Sequence, residues 1–541
     1  MQLNKAYFLF YMYKLICIFV KLIYIEKLSM IQEHRQRITR NTLILYFRMI
    51  FTMLVSLYTS RVVLNTLGVE DFGIYNVVGG VVAMLSFING SLSAASSRYI
   101  TYELAIGTPE SLRKTFSCVM TIHIFIALLI AILGETVGSW FLLHELKIPE
   151  NRLNSAIWVF QCSILSTMLS IISVPYNATI IAHEKMNIYA YISIMDVMLK
   201  LGIVYLLVIL PFDKLKIYAL LILAIQIFDV FVYRWYTSTR FKACKFKFTW
   251  DQSLFKDIFI FVGWTINGNL AVIGYTQGLN ILLNLFFGPA INAARGIAVQ
   301  VQTVIQNFCN NFQVALNPQL TKSYAQSNFE YMHKLLIISS KFSFLLLLLL
   351  SMPIIFEAQT ILKLWLNIVP EYTVIFLRLI LCSSMLTALA NPLIISVHAT
   401  GKLKIFQLVE GSMLLTIVPI SYLLLKFCNV PPEAVFIVHI GIEICTQFAR
   451  MKIVLPMINM KIHDYIKNVL FPITKVLILS PIIPFIIYIC MPNNWYSFIM
   501  VCFTSAFSVV IVTYYIGCQK HERVFIKQKI YTIIMNFKLK K

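Results

Sequence analysis

Charge is what this chain most lacks. Asp, Glu, Lys and Arg make up 13% of its 541 residues, against roughly 25% in a soluble domain. So few charges cannot clothe a water-facing surface, which excludes a free globule. The eleven cysteines include no CxxC pair and mostly fall inside apolar runs, which argues against a zinc site or a disulfide framework. Catalytic signatures are missing as well. There is no GxxxxGK[ST] phosphate loop, HExxH, DxD or GxSxG, so those enzyme chemistries have no foothold. We expect no enzyme, no resident metal and no cofactor.

What the chain does have is apolar length. Hydrophobic residues make up 59% and the mean hydropathy is +0.80, the composition of an integral membrane protein. The net charge is +22, which in a soluble protein would suggest nucleic acid. In a membrane chain such an excess belongs to basic cytoplasmic loops, which orient the spans. We therefore expect a lipid bilayer and no nucleic acid as partner.

Residues 40–99 organise the rest. Two apolar runs are joined by Gly68-Val69-Glu70-Asp71, each long enough to cross about 30 Å of hydrocarbon. The first carries Arg48 and Arg61 inside it, where a charge costs about 2.5–3.5 kcal/mol on insertion scales. The second places Asn76, Gly79, Ala83, Ser86, Gly90, Ser93 and Ser97 at steps of three and four, on one helix face. A face without bulk packs against a helix or lines a space. Beside arginines, such a space would attract anions.

The pattern predicts fourteen spans, at 42–66, 72–97, 116–136, 155–176, 188–210, 217–237, 255–286, 290–317, 335–356, 373–394, 405–427, 434–452, 469–490 and 496–516. With a cytoplasmic start, the inner loops collect Arg98, Arg113, Lys185, Lys245, Lys322, Lys402 and many other cations. The outer ones hold only Lys147, Arg152, Lys214, Lys216, Lys363 and Lys426. That bias supports an even span count with both termini inside. The expected organisation is a cytoplasmic segment at 1–40, a six-span lobe at 41–237, a basic linker at 238–254 and a second six-span lobe at 255–452. Two more spans at 469–516 and a basic tail at 517–541 follow. Residues 1–29, interrupted by Lys14 and Lys21, are expected to precede the true start at Met30.

The chain also repeats itself. Leu64-Asn65 through Gly68 closes span one, and Leu283-Asn284 through Gly288 closes span seven, each leading into a helix with a small or polar face. In span eight that face is Arg295, Gln302, Gln306, Asn310, Gln313 and Asn317. Two parallel six-span halves follow, an arrangement used by transporters.

The stretch TLILYFRMIFTMLVSLYTSRVVLNTLGVEDFGIYNVVGGVV resembles the start of Wzx-like oligosaccharide flippases from Bacteroides-type bacteria. These belong to the multidrug/oligosaccharidyl-lipid/polysaccharide (MOP) exporter superfamily. The resemblance is specific over about residues 38–100 and looser to about residue 516. It implies an all-α, MATE-like fold of two six-helix lobes around a central cavity, with two C-terminal helices. It implies transport of undecaprenyl-pyrophosphate-linked oligosaccharide across the bacterial inner membrane for O-antigen, lipopolysaccharide or capsule synthesis, beside glycan polymerase machinery. Related lipid II flippases line their cavity with arginines from the first, second and eighth helices. Arg48 or Arg61 fits the first and Arg295 the eighth, while the second has no arginine before Arg98.

A diphosphate crossing a low-dielectric region needs fixed guanidiniums, whose planar forks suit phosphate oxygens. Arg48, Arg61 and Arg295 are the candidates, with Arg98 at the inner mouth. The bland alternative is that Arg61 and Arg98 snorkel to headgroups. Sugar would need many weak partners, which Gln302, Gln306, Asn310, Gln313 and Asn317 supply. The alternative for these amides is a seam between packed helices. Asp196 and Lys200, four apart, are expected to neutralise each other. Asp229 and Glu443 are candidates for proton or sodium coupling. The rival functions are a cation-coupled multidrug exporter of the same superfamily and, from another class, a membrane glycan-modifying enzyme.

Overall fold

The computed structural model describes residues 87–144, 148–209, 213–249, 251–366, 369–492 and 494–519. It also describes 42, 211, 522–523, most of 44–63 and scattered positions up to 78. Arg61, the turn at 68–70, Asn76, Gly79, Ala83, Ser86 and the segment 1–29 expected to precede the start at Met30 lie outside the described residues, as does most of the tail.

Every regular element among the described residues is helical. In order they are α1 Ile44–Ser56, α2 Phe87–Ile106, α3 Pro109–His144, α4 Glu150–Ala182, α5 Met186–Ile209, α6 Lys214–Arg240, α7 Gln252–Phe287 and α8 Pro289–Ala325. Then come α9 Phe329–Phe356, the short α10 Ala358–Leu366, α11 Thr373–Thr400, α12 Lys404–Phe427, α13 Ala434–Met457, α14 Ile462–Cys490 and α15 Trp495–Gly517. Eleven are long and apolar enough to cross a membrane, and they overlay expected spans three to seven and nine to fourteen. The eighth expected span is the 37-residue α8, whose polar row keeps it out of that set. Helix α2 runs on to Ile106, nine residues beyond the expected end, because hydropathy marks the bilayer and not the hydrogen-bond ladder. Arg98 therefore sits within a helix and not at its end.

Helix ends follow local chemistry. Thr108 and Ser111 form a reciprocal cap ahead of Pro109, satisfying donors the first turn cannot use. Gly288, at φ +82°, closes α7 by donating its amide to Asn284 O at 2.8 Å, and Pro289 opens α8. Only glycine takes that left-handed position without strain. This one-residue turn is the structural form of the Asn284–Gly288 signal.

The chain forms two compact units. One holds residues 44–269 with 321–327, and the other 270–320 with the chain from 328 onward. In the first, the end of α8 is fixed by Lys322 Nζ on Glu184 Oε1 at 2.6 Å. In the second, α9 is encased: Leu345 to Leu349 are all buried. Its Lys341, fully buried, pairs with Glu522 beyond α15. The exterior carries large apolar side chains such as Ile209 (77% exposed), Leu285 (71%) and Tyr496 (78%), a surface made for lipid. This is a multi-pass membrane protein.

Arg152 of α4 joins Asp71 to Asp213, the residue ahead of α6, within the first unit. Its Nη2 donates to Asp71 Oδ2 at 2.6 Å and its Nη1 lies 3.5 Å from Asp213 Oδ2. Asp213 also caps α6, accepting from Leu215 N at 3.1 Å and from Ser155 Oγ at 2.6 Å. Burial opposes its ionisation, but the Ser155 hydroxyl, the Lys216 and Leu215 amides and Arg152 outweigh it and hold the carboxyl below the usual 3.8. A depressed carboxylate stabilises the fold above its unfolded pKa, and that share fades as pH falls through the folded value. Asp213→Ala should lower thermal stability by about 1 kcal/mol at neutral pH, and the gap from wild type should shrink towards pH 3. A gap that stays constant with pH would remove the carboxylate from this role. Among the described cysteines, Cys382, Cys428, Cys445 and Cys490 are exposed and the other six buried; burial pushes the Cys244 thiol up to about 11.

Candidate functional site

In the first unit, Arg48 points from α1 to α5. Its Nη1 donates to Ser193 Oγ at 3.4 Å, and its guanidinium lies 4.7 Å from the Tyr189 ring centroid. One turn beyond Ser193, Lys200 Nζ donates to Asp196 Oδ2 at 2.9 Å, as the four-residue spacing predicts. Asp196 in turn meets buried Asp229 of α6. Lys200 thus bonds Asp196 alone and acts on Asp229 only through its field. Arg98 of α2 lies over Tyr99, Tyr102 and Phe261 at 4.5, 5.6 and 5.4 Å, a cation–π cage in place of the headgroup snorkelling that a helix end would allow.

In the second unit, Arg295 leans from α8 onto α7. Its Nη1 donates to Asn280 Oδ1, and its Nη2 to the Thr276 carbonyl at 3.2 Å. Both acceptors are neutral, and no carboxylate lies within ion-pair distance of Arg295 among the described residues. Arg450 of α13 is the opposite case: its Nε donates to Glu410 of α12 and its Nη1 to Glu443, each at 2.7 Å. Glu443 therefore has a partner on its own helix, two turns on. Tyr275 of α7 and His439 of α13 pack on each other, with ring centroids 5.1 Å apart.

The amide row of α8 divides. Gln302 Nε2 donates to Ser384 Oγ at 2.8 Å. Gln313 is buried and fully used: Nε2 donates to Ser343 Oγ and to the Ala388 carbonyl, and Oε1 accepts from Asn391 Nδ2 at 2.6 Å. These two form the interhelical seam. Gln306 is half-buried and Asn310 exposed, with side chains that bond no other described residue, and Asn317 is half-buried beside Pro318. Gln306 and Asn310 are the amides available to a ligand. Gln313→Leu should cost about 2 kcal/mol by orphaning its partners, whereas Gln306→Leu and Asn310→Leu should stay within about 0.5 kcal/mol. Thermal unfolding of the purified variants checks this, and a reversed ranking would refute the division.

No protein-family profile and no curated relative matches this sequence. Solved structures do. A point-substituted MATE transporter superposes with TM-score 0.68 at 13% identity, over 81% of this chain and 98% of that one. An outward-facing multidrug-resistance MATE transporter of the MOP superfamily gives 0.68 at 14%, over 82% and 98%. The fold is that of the MATE transporters. A third match, at 0.64 and 13% over 81% and 98%, is a MOP superfamily transporter from Pyrococcus furiosus Vc1, described as having a binding pocket of reversed polarity that suggests a different function.

On this MATE fold, sequence reasoning misses Tyr275, His439, Asn280 and Arg450. Glu443 and Arg450 are seven apart, two turns on one face, so that pair was findable. Tyr275 and His439 carry no local signal, because each acquires its surroundings from other helices.

Proposed function

We propose that the protein moves an undecaprenyl-pyrophosphate-linked oligosaccharide from the inner to the outer leaflet of the bacterial inner membrane, with both termini cytoplasmic. The observation that carries this reading is Arg295, held in place by neutral acceptors alone. Its charge is not spent on a bonded carboxylate, so a phosphate can engage the fork. Gln306 and Asn310, one and two turns apart from the seam amides, would meet sugar hydroxyls. Arg48 and Arg98 belong to the same reading as cations of the first unit, and Arg61 remains a candidate on the sequence resemblance. The Pyrococcus furiosus neighbour, described as having a binding pocket of reversed polarity, is in keeping with a cationic site on this fold.

A second reading, cation-coupled efflux, rests on Asp196 and Asp229. Each has one buried carboxylate oxygen without a hydrogen-bond partner among the described residues, and such an oxygen could hold a proton or a sodium ion. One assay separates the readings. Proteoliposomes loaded with a fluorescent undecaprenyl-pyrophosphate sugar should expose it to an impermeant quencher only when the protein is present. Transport of a lipophilic cation without movement of the glycolipid would overturn the flippase reading in favour of the second.

A further inference from the structure

His439 of α13 stands where the second unit's charges meet. Its ring nitrogens lie 3.4 and 3.5 Å from Ser383 Oγ of α11, and its ring packs on Tyr275 of α7. Glu443 is one turn away on the same helix, and both Glu443 and Arg295 act on the imidazole electrostatically. The charged groups around the His439–Tyr275 pair are Arg295 from α8, Glu410 from α12, and Glu443 and Arg450 from α13; Arg295 and Glu443 act on His439 itself, and all four act on Tyr275. The packed face of α11 adds only the Ser383 hydroxyl.

The fixed charges cancel. Arg295 and Arg450 balance Glu410 and Glu443, so the cluster is neutral when His439 is neutral. Imidazole is the one group here whose ordinary pKa, about 6.5, allows its charge to change near physiological pH. A phosphate arriving at Arg295 adds negative charge to a balanced, poorly solvated cluster, and a proton on His439 offsets it. We infer that His439 is a proton-binding residue of the substrate site, taking up a proton as an anionic phosphate group binds Arg295. Substrate and proton then bind together, whereas a cationic substrate would expel the proton. Linkage makes the effect reciprocal: whatever factor the anion adds to proton affinity, the proton adds to anion affinity. The inference rests on the diphosphate reading proposed above.

The test uses the full-length purified protein and inorganic pyrophosphate as probe. Calorimetric titrations in two buffers of different ionisation enthalpy give affinity and proton count together. Wild type should bind about tenfold more tightly near pH 6 than near pH 8, and take up protons beyond those pyrophosphate itself exchanges. His439→Gln should lose that extra dependence, and His439→Arg, a fixed cation, should bind comparably at both values. A pH dependence and proton count unchanged in His439→Gln would overturn the inference and leave the diphosphate site standing. No pyrophosphate binding by wild type would overturn both. Should the variants fail to purify, the wild-type count still decides, since no uptake beyond the probe's own excludes a proton on His439.

Discussion

Alanine at Arg295 should abolish glycan display at the cell surface while leaving the protein at normal abundance in the membrane. Among the described residues the guanidinium bonds an asparagine oxygen and a backbone carbonyl and no carboxylate, so its removal strands no buried charge among them. Asn280 keeps a second contact, donating through Nδ2 to Gln277 Oε1 at 3.0 Å. The structural cost is therefore small, and the loss falls on the anion. A charge-assisted contact in a poorly solvated space is worth about 2–3 kcal/mol, or roughly 30- to 150-fold in rate. Lysine should restore part of the activity, because a point ammonium cannot form both bonds of the fork. Surface glycan measured beside immunoblotted membrane protein reads both effects. Full export by Arg295→Ala would end its role as the phosphate cation, and a loss of abundance in step with a loss of export would make it a packing residue.

Arg450→Ala should behave in the opposite way and fail at the level of the protein. Arg450, Glu410 and Glu443 are all buried, and without the arginine two carboxylates face each other with no counter-charge. Breaking a buried ion pair by removing one partner costs about 3–5 kcal/mol, a large part of the stability of most domains. Replacing the whole triad with neutral groups of similar size (Arg450→Met, Glu410→Gln and Glu443→Gln together) should recover most of it, because the penalty comes from the stranded charge. Thermal unfolding in detergent distinguishes the cases. A single variant as stable as wild type would mean that the acids are already neutral.

The spans were legible because the bilayer imposes a length and a composition on each, and those survive without knowledge of neighbours. The division of the α8 row was not. Spacing shows that Gln302, Gln306, Asn310 and Gln313 share a face. The face is wide enough for Gln302 and Gln313 to meet serines on α11 and α9 while Gln306 and Asn310 meet none. Pairing within a helix was readable at Asp196–Lys200, and contact between helices was not: Asp196 also meets Asp229, a like charge that no spacing rule would place there. Arg48 shows the same limit, since its contact with Ser193 joins residues 145 apart in sequence.

The buried Lys341 ties the finished protein to the order of its synthesis. Its carboxylate partner, Glu522, lies 181 residues further along the chain. At roughly 5–20 residues per second, the ammonium waits on the order of ten seconds or more after α9 is made before its counter-charge leaves the ribosome. During that interval α9 lacks the Glu522 carboxylate, and α14 and α15 have not yet been made. Burial of α9 is thus finished only when the last stretch of chain arrives: a chain ending short of Glu522 would leave Lys341 without that carboxylate.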